Sequence, residues 1–236
     1  MNGPVRIDAV VLEFEGIVAD TFRAHREALA AALATEGIVV SDDEYWDLCA
    51  GWPHSAAVRA VVHQRQLALD DTTLDLLALA ADRAYTAHVG KGVILVDGAR
   101  TALERLAARA RVAVVSRLRR SDLEVLISLA KLDHVFTFVV GAEDASPGKP
   151  DPRPYRVAME RLGKLRRTPL GVIPIVALED GVAGIRSARA AGLPCIAVGR
   201  VPPHVAMEAD AWLESITGLD LGTINALLSE HGENRP

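Results

Sequence analysis

Glu13 and Glu15 stand two residues apart at the end of an apolar run, in the stretch VVLEFEGIVADT from Val10 to Thr21. Two carboxylates at that spacing, with Gly16 after them, can serve as nucleophile and proton carrier, or as hard oxygen ligands of a divalent cation. Other apolar runs close on polar residues of the same kind. Ser116 is followed by Arg117, Lys149 lies in GAEDASPGKPDP, and Glu179-Asp180 follow a fourth run. Carboxylates, a hydroxyl and an ammonium from four separate segments suit a phosphoryl group with a divalent cation such as Mg²⁺. The acids take up the metal, while Ser116 and Lys149 hold and neutralise phosphate oxygens.

Taken singly, each residue has a bland account. A serine at a strand end commonly caps a helix, and a lysine before Pro-Asp-Pro suits a loop. Asp180 before glycine suits a cap, and adjacent acids commonly face solvent. Their joint occurrence, in this order and all at strand ends, is what marks a site.

The elements that must position these residues can be read from the pattern. IDAVVL (7–12), RVAVVS (111–116), VFTFVV (135–140), IPIVAL (173–178) and PCIAV (194–198) are short, nearly continuous apolar runs, as strands buried on both faces of a parallel sheet are. GARTALERLAARA, RSDLEVLISLAKL, DPRPYRVAMERLG and GVAGIRSARAAG separate them, with apolar residues three and four apart. The alternation predicts an α/β fold with an open, doubly wound parallel sheet. In such sheets ligands bind beyond the carboxyl ends of the strands, where the polar residues fall. Residues 17–92 break the alternation with purely helical patterns, so the expected organisation is a core of 1–16 and 93–236 with a helical subdomain inserted at 17–92.

The 236 residues suffice for a substantial core, and 50% hydrophobic with 24% charged residues is ordinary for a globular protein. The net charge of −5 and the lack of a basic stripe speak against nucleic acid as a partner. The arginine groups 117–120 and 166–167 read as solvated helix ends. Two distant cysteines, Cys49 and Cys195, fit a reduced compartment, and no run reaches the roughly 18 apolar residues of a membrane span. The N-terminus lacks a signal-peptide pattern, the tail SEHGENRP is expected to fray, and the expected location is the cytoplasm.

Four stretches together resemble the haloacid dehalogenase superfamily, in its β-phosphoglucomutase-like and sugar-phosphate phosphatase branch: LEFEGIVADT, Ser116, GKPDP and LEDGVAGIRSARAAGLPCIAVG. The resemblance covers nearly the whole chain and implies a Rossmann-like core with a helical cap. It further implies Mg²⁺-dependent chemistry through an acyl-phosphate on a small phosphorylated molecule; the expected state of the chain is a monomer or homodimer. It puts Glu13 at the nucleophile position and Glu15 at the acid/base position, with Glu13, Glu15, Glu179 and Asp180 around the metal. Ser116, Arg117 and Lys149 then hold phosphate, and Thr21, His25, Trp52 and His54 face substrate from the cap.

Two departures stand out. The family's Asp-x-Asp is Glu-x-Glu here, and AGWPHS (50–55) replaces a Gly-x-Ser-Arg loop, with His54 in place of the arginine. The added methylene displaces a carboxylate by roughly 1 Å, enough to cost about 10²-fold where positioning governs rate. Both glutamates nevertheless keep charge and ligating capacity. Three readings follow: a slow or retuned Mg²⁺-dependent phosphatase, a catalytically silent binder of a phosphorylated ligand or protein partner, and a different reaction on the same fold. Within the third, the lack of any lysine between residues 17 and 90 speaks against Schiff-base phosphonate cleavage. The acids at 179 and 180 speak against a metal-free dehalogenase.

Overall fold

A computed structural model describes residues 7–50, 52–89, 92–166, 174–199 and 201–232. Arg167 of the arginine pair, Ile173 at the start of the fourth apolar run, Gly51 of AGWPHS and the end of the tail lie outside the described residues.

The chain forms two compact units. One consists of the chain up to Ala19 and from Leu95 onward, and the other is Asp20–Ile94. The first holds the sheet. Its strands are β1 (Ala9–Leu12), β2 (Arg111–Val115), β3 (Phe136–Val140), β4 (Ile175–Glu179), β5 (Cys195–Val198) and β6 (Ala211–Leu213), in the order β3-β2-β1-β4-β5-β6. All neighbouring strands are parallel. This is an α/β, Rossmann-like arrangement, and the five apolar runs are its first five strands. Val10, Val11 and Leu12, Val112 to Val115, Val176 to Leu178, and Cys195 to Ala197 are fully buried, which accounts for their unbroken apolar character. β6 escaped the sequence pattern because three residues carry no periodicity and Trp212 is 46% exposed at the sheet edge.

Crossovers between strands run through α5 (Ala99–Ala107), α6 (Arg120–Leu129), α7 (Arg153–Arg166) and α8 (Val182–Ala190). Ala99, Ala102, Leu103 and Leu106 show how a three-and-four spacing buries one side of α5. The chain builds outward from β1 to β2 and β3, then returns to place β4, β5 and β6 on the other side. The strand order therefore reverses between β1 and β4, the point where open sheets leave a crevice for ligands.

The second unit is helical, with α1 (Phe22–Ala34), α2 (Asp42–Leu48), α3 (His54–Gln64) and α4 (Asp71–Val89). Ser41 caps α2 by accepting the Glu44 N–H, and Asp42, Asp43 and Glu44 complement the positive end of the helix. Leu29, Leu33, Tyr45, Cys49, Val58, Val61 and Leu77 belong to one apolar cluster that gives this unit its own core. Among the described residues no helix is long and apolar enough to cross a membrane.

Leu29 is fully buried in that cluster, whereas Leu76 on α4 is 61% exposed. Leu29→Ala should therefore cost about 2–5 kcal/mol in urea denaturation, while Leu76→Ala should stay within about 0.5 kcal/mol.

Candidate functional site

The switch point gathers the polar strand ends. Glu13 follows β1 directly and its N–H donates to the Leu178 carbonyl, which ties the first acid to the end of β4. Glu179 is the last residue of β4, paired in register with Ala197. Lys149 reaches in from the loop after β3, and its ammonium donates to Glu13 Oε2 at 2.9 Å, to Glu179 Oε1 at 2.5 Å and to the Val115 carbonyl at 2.8 Å. One cation thus joins residues 13, 115 and 179. The lysine loop is itself fastened, because the Ser187 hydroxyl on α8 donates to the Asp151 carbonyl. The Asp151 side chain in turn accepts the Arg153 N–H at the start of α7.

Glu15 pairs with Arg117, whose Nε donates to Glu15 Oε2 at 3.0 Å. Ser116 follows β2 directly, and its hydroxyl accepts the Leu118 N–H. The remaining Glu13 oxygen, Oε1, accepts two consecutive backbone N–H groups, from Phe14 at 2.7 Å and from Glu15 at 3.3 Å.

Two glycines allow the acids to come this close. Gly16 has φ +76°, and a Cβ there would lie 1.9 Å from Asp180 Oδ2. A Cβ at Gly184 on α8 would lie 2.0 Å from the Glu179 carboxyl. Neither position accepts a side chain without displacing an acid.

The electrostatics follow from this crowding. Burial pushes Glu13 upward, but the Lys149 ammonium, the Ser116 hydroxyl and Arg117 bring it below the usual glutamate range. Glu179 is raised by burial and by the charge of Glu13, against the pull of Lys149 and Tyr155. Asp180 is raised well above its ordinary value by burial, Glu179 and Glu13, against Arg117 and Lys149. Lys149 itself is raised: burial opposes its charge, and Glu13 and Glu179 overcome that opposition.

The candidates Glu13, Glu15, Ser116, Arg117, Lys149, Glu179 and Asp180 thus fall in one unit and, through these contacts, at one place. Tyr155 joins them and went unnoticed in the sequence. Fully buried, it donates its hydroxyl to Glu179 Oε1, and its ring centroid lies 5.3 Å from the Lys149 ammonium. The available signal was its place on the first turn of α7, six residues after Lys149 in KPDPRPY. Hard oxygen donors are present for a divalent cation. Among the described residues, however, no group of three His, Cys, Asp or Glu stands at metal-holding spacing, and the Lys149 ammonium lies between Glu13 and Glu179.

The other four candidates lie in the helical unit. His25 and His54 are buried and stacked, with ring centroids 4.1 Å apart. His25 Nδ1 is 2.7 Å from the Tyr45 hydroxyl, and His54 Nδ1 is 2.7 Å from Asp82 Oδ1. Tyr85 presents its ring edge-on to both imidazoles. Tyr45, Asp82 and Tyr85 were not singled out in the sequence, because they come from α2 and α4 and only folding brings them to the histidines. Thr21 is buried just before α1, and Trp52 is half-buried between α2 and α3, with its N–H donating to the Cys49 carbonyl. Cys49 and Cys195 are buried free thiols.

Comparison with known proteins matches residues 10–198 to the profile of a family described as haloacid dehalogenase-like hydrolase. The fructose-1-phosphate phosphatase YqaB of Escherichia coli is 25% identical over 193 residues, covering 82% of this chain and 97% of its own length. Protein CbbY of Rhodobacter capsulatus is 25% identical over 198 residues, covering 80% of this chain and 84% of its own. Among solved structures, β-phosphoglucomutase from Clostridium difficile superposes with a TM-score of 0.76 at 16% identity, over 97% of this chain and all of its own. CbbY from Rhodobacter sphaeroides in complex with phosphate gives 0.70 at 24% identity, over 90% and 96%.

The raised Asp180 carboxyl predicts a pH dependence. Its folded pKa exceeds the unfolded value of about 3.9, so its contribution to stability is full below that value and falls as pH rises toward the folded pKa. In metal-free buffer Asp180→Asn should raise the urea midpoint at pH 7, with the gain shrinking toward pH 4. A midpoint unchanged or lowered at pH 7 would remove the repulsion inferred here.

Proposed function

Because the chain belongs to the haloacid dehalogenase-like hydrolase family, we propose that it is a Mg²⁺-dependent phosphoric monoester hydrolase acting on a small phosphorylated metabolite, slow or retuned by its Glu-x-Glu pair. The observation that carries this reading is the single ammonium of Lys149 joining Glu13 to Glu179, beside Glu15, Ser116, Arg117 and Asp180. The relatives' names make a sugar phosphate the first substrate class to try.

Glu13 attacks phosphorus, the bond to the ester oxygen breaks, and Glu15 gives its proton to the leaving alcohol. Glu15 then takes a proton from water as the water attacks phosphorus and releases the Glu13 carboxylate. Ser116, Arg117 and Lys149 hold the phosphoryl oxygens and balance their charge. The oxygen donors are of the chemical class that a hard divalent cation takes, although Lys149 stands between two of them. Four carboxyl groups meet two cationic side chains, and burial with the charges of Glu179 and Glu13 raises the Asp180 carboxyl above its ordinary value. Glu13, Glu179, Asp180 and the Glu15 carbonyl would hold Mg²⁺, whose charge would offset that of the transferring phosphoryl group.

A second reading, a silent scaffold that binds a phosphorylated ligand or a protein partner, is favoured by one feature. The Glu13 carboxylate is committed to its own backbone N–H groups and to Lys149.

Purified protein incubated with Mg²⁺ and a panel of phosphate esters, sugar phosphates first, should release phosphate. Glu13→Asp should raise the rate by about 10²-fold if carboxylate position is the sole defect. Millimolar Mg²⁺ should also raise the melting temperature, since a ligand of the folded state alone stabilises it, and Asp180→Asn should abolish that rise. No release by wild type or Glu13→Asp, with a melting curve indifferent to Mg²⁺, would leave the scaffold reading.

A further inference from the structure

The surroundings of the Glu13 carboxylate resemble those of a bound inorganic anion. Oε1 receives two consecutive backbone N–H groups, from Phe14 and Glu15, and Oε2 receives the Lys149 ammonium. These are three donors from two segments of chain, and the Ser116 hydroxyl further favours the charged form of the carboxylate. Successive N–H groups turned toward one oxygen form a nest, a common oxyanion-binding device, and a buried ammonium supplies the charge. Glu13 is only 6% exposed, so the carboxylate fills this cradle rather than lying beside it. A glutamate side chain is long enough to turn back onto the N–H groups of the two residues that follow it.

We infer that Glu13 is a tethered occupant of an oxyanion cradle built from the Phe14 and Glu15 N–H groups and Lys149 Nζ, and that a phosphate enters only by displacing it. The inference deepens the hydrolase reading and takes from it only the class of ligand. It makes Glu13 the residue that sets how tightly phosphate binds. A protein whose binding-competent arrangement is a minor one shows an affinity reduced by that fraction. Wild type therefore binds inorganic phosphate weakly, and the cradle tightens when its occupant is removed.

Loss of a negative charge alone would also favour an anion, and the choice of variants separates the two effects. Glu13→Ala removes both charge and occupant. Glu13→Gln removes the charge but leaves a carbonyl oxygen of the same reach, able to accept from Phe14 and Glu15. Glu15→Gln removes one charge from the partner of Arg117 and leaves the cradle filled.

Inorganic phosphate is titrated calorimetrically into each protein in metal-free buffer and again with Mg²⁺. The backbone N–H resonances of Phe14 and Glu15 are followed by NMR in the same titration. Glu13→Ala should bind phosphate at least tenfold tighter than Glu13→Gln, Glu15→Gln and wild type, and both resonances should move as it does. Equal affinities for Glu13→Ala and Glu13→Gln would overturn the inference and reduce the effect to charge. So would wild-type binding as tight as that of Glu13→Ala with the same two resonances moving. Far-UV circular dichroism checks folding, and Glu13→Ser is the second cavity-forming variant if alanine is not tolerated. Turnover is not read in this experiment. Tight phosphate binding by Glu13→Ala in a protein that hydrolyses no ester would retire the hydrolase reading and keep the cradle; turnover with equal affinities would do the reverse.

Discussion

The arrangement of the candidate site depends on one buried ammonium. Lys149 lies 8% exposed between Glu13 and Glu179 and donates as well to the Val115 carbonyl, so that the ends of β1, β2 and β4 share one cation. Removing a charge of either sign from such a cluster leaves the other desolvated and unpaired, which typically costs about 3–5 kcal/mol. The acids can therefore be buried at the switch point only while Lys149 is there. Lys149 is held there by the loop that Ser187 fastens to α8 and by the ring of Tyr155 beneath it. Position and charge are set by the same contacts.

A consequence follows for the chemistry. The cluster is satisfied internally on the Glu13 and Glu15 side, through backbone N–H groups, Lys149 and Arg117, and is strained on the Asp180 side, where burial meets two neighbouring acids. An incoming phosphate would compete with existing hydrogen bonds, while an incoming cation would relieve a repulsion. The two halves of one crevice would thus respond in opposite senses to ligands of opposite charge.

Much of this was legible in the sequence because parallel strands buried on both faces read as unbroken apolar runs, and strand ends show as the first polar residue after each run. Glu13, Ser116 and Glu179 could be placed in this way. The three residues of β6 were too few to carry a period. Tyr155 was hidden for a different reason. On an amphipathic helix a buried tyrosine is indistinguishable from core packing until its hydroxyl is seen to meet Glu179. The pairing of Arg117 with Glu15 was equally out of reach, since a strand-end arginine gives no sign of which acid it will meet across 102 positions. Nor could the turn of Glu13 onto its own backbone be foreseen, because side-chain length was legible but rotamer was not. The same limit applies to His25 and His54, whose stack and hydrogen-bond partners require four helices to meet.

The contact between Gly16 and Asp180 bears on how this sequence can change. With Asp180 Oδ2 standing where a Cβ at position 16 would be, any side chain at 16 requires a smaller residue, or a redirected one, at 180. Gly184 and Glu179 are locked together in the same way. A single substitution at either glycine meets a steric wall, and escape requires a paired change at the acid opposite. Descendants of this chain should therefore show these positions covarying as two couples, with glycine persisting at 16 and 184 even in lineages that have abandoned the original chemistry, for as long as the acids opposite remain.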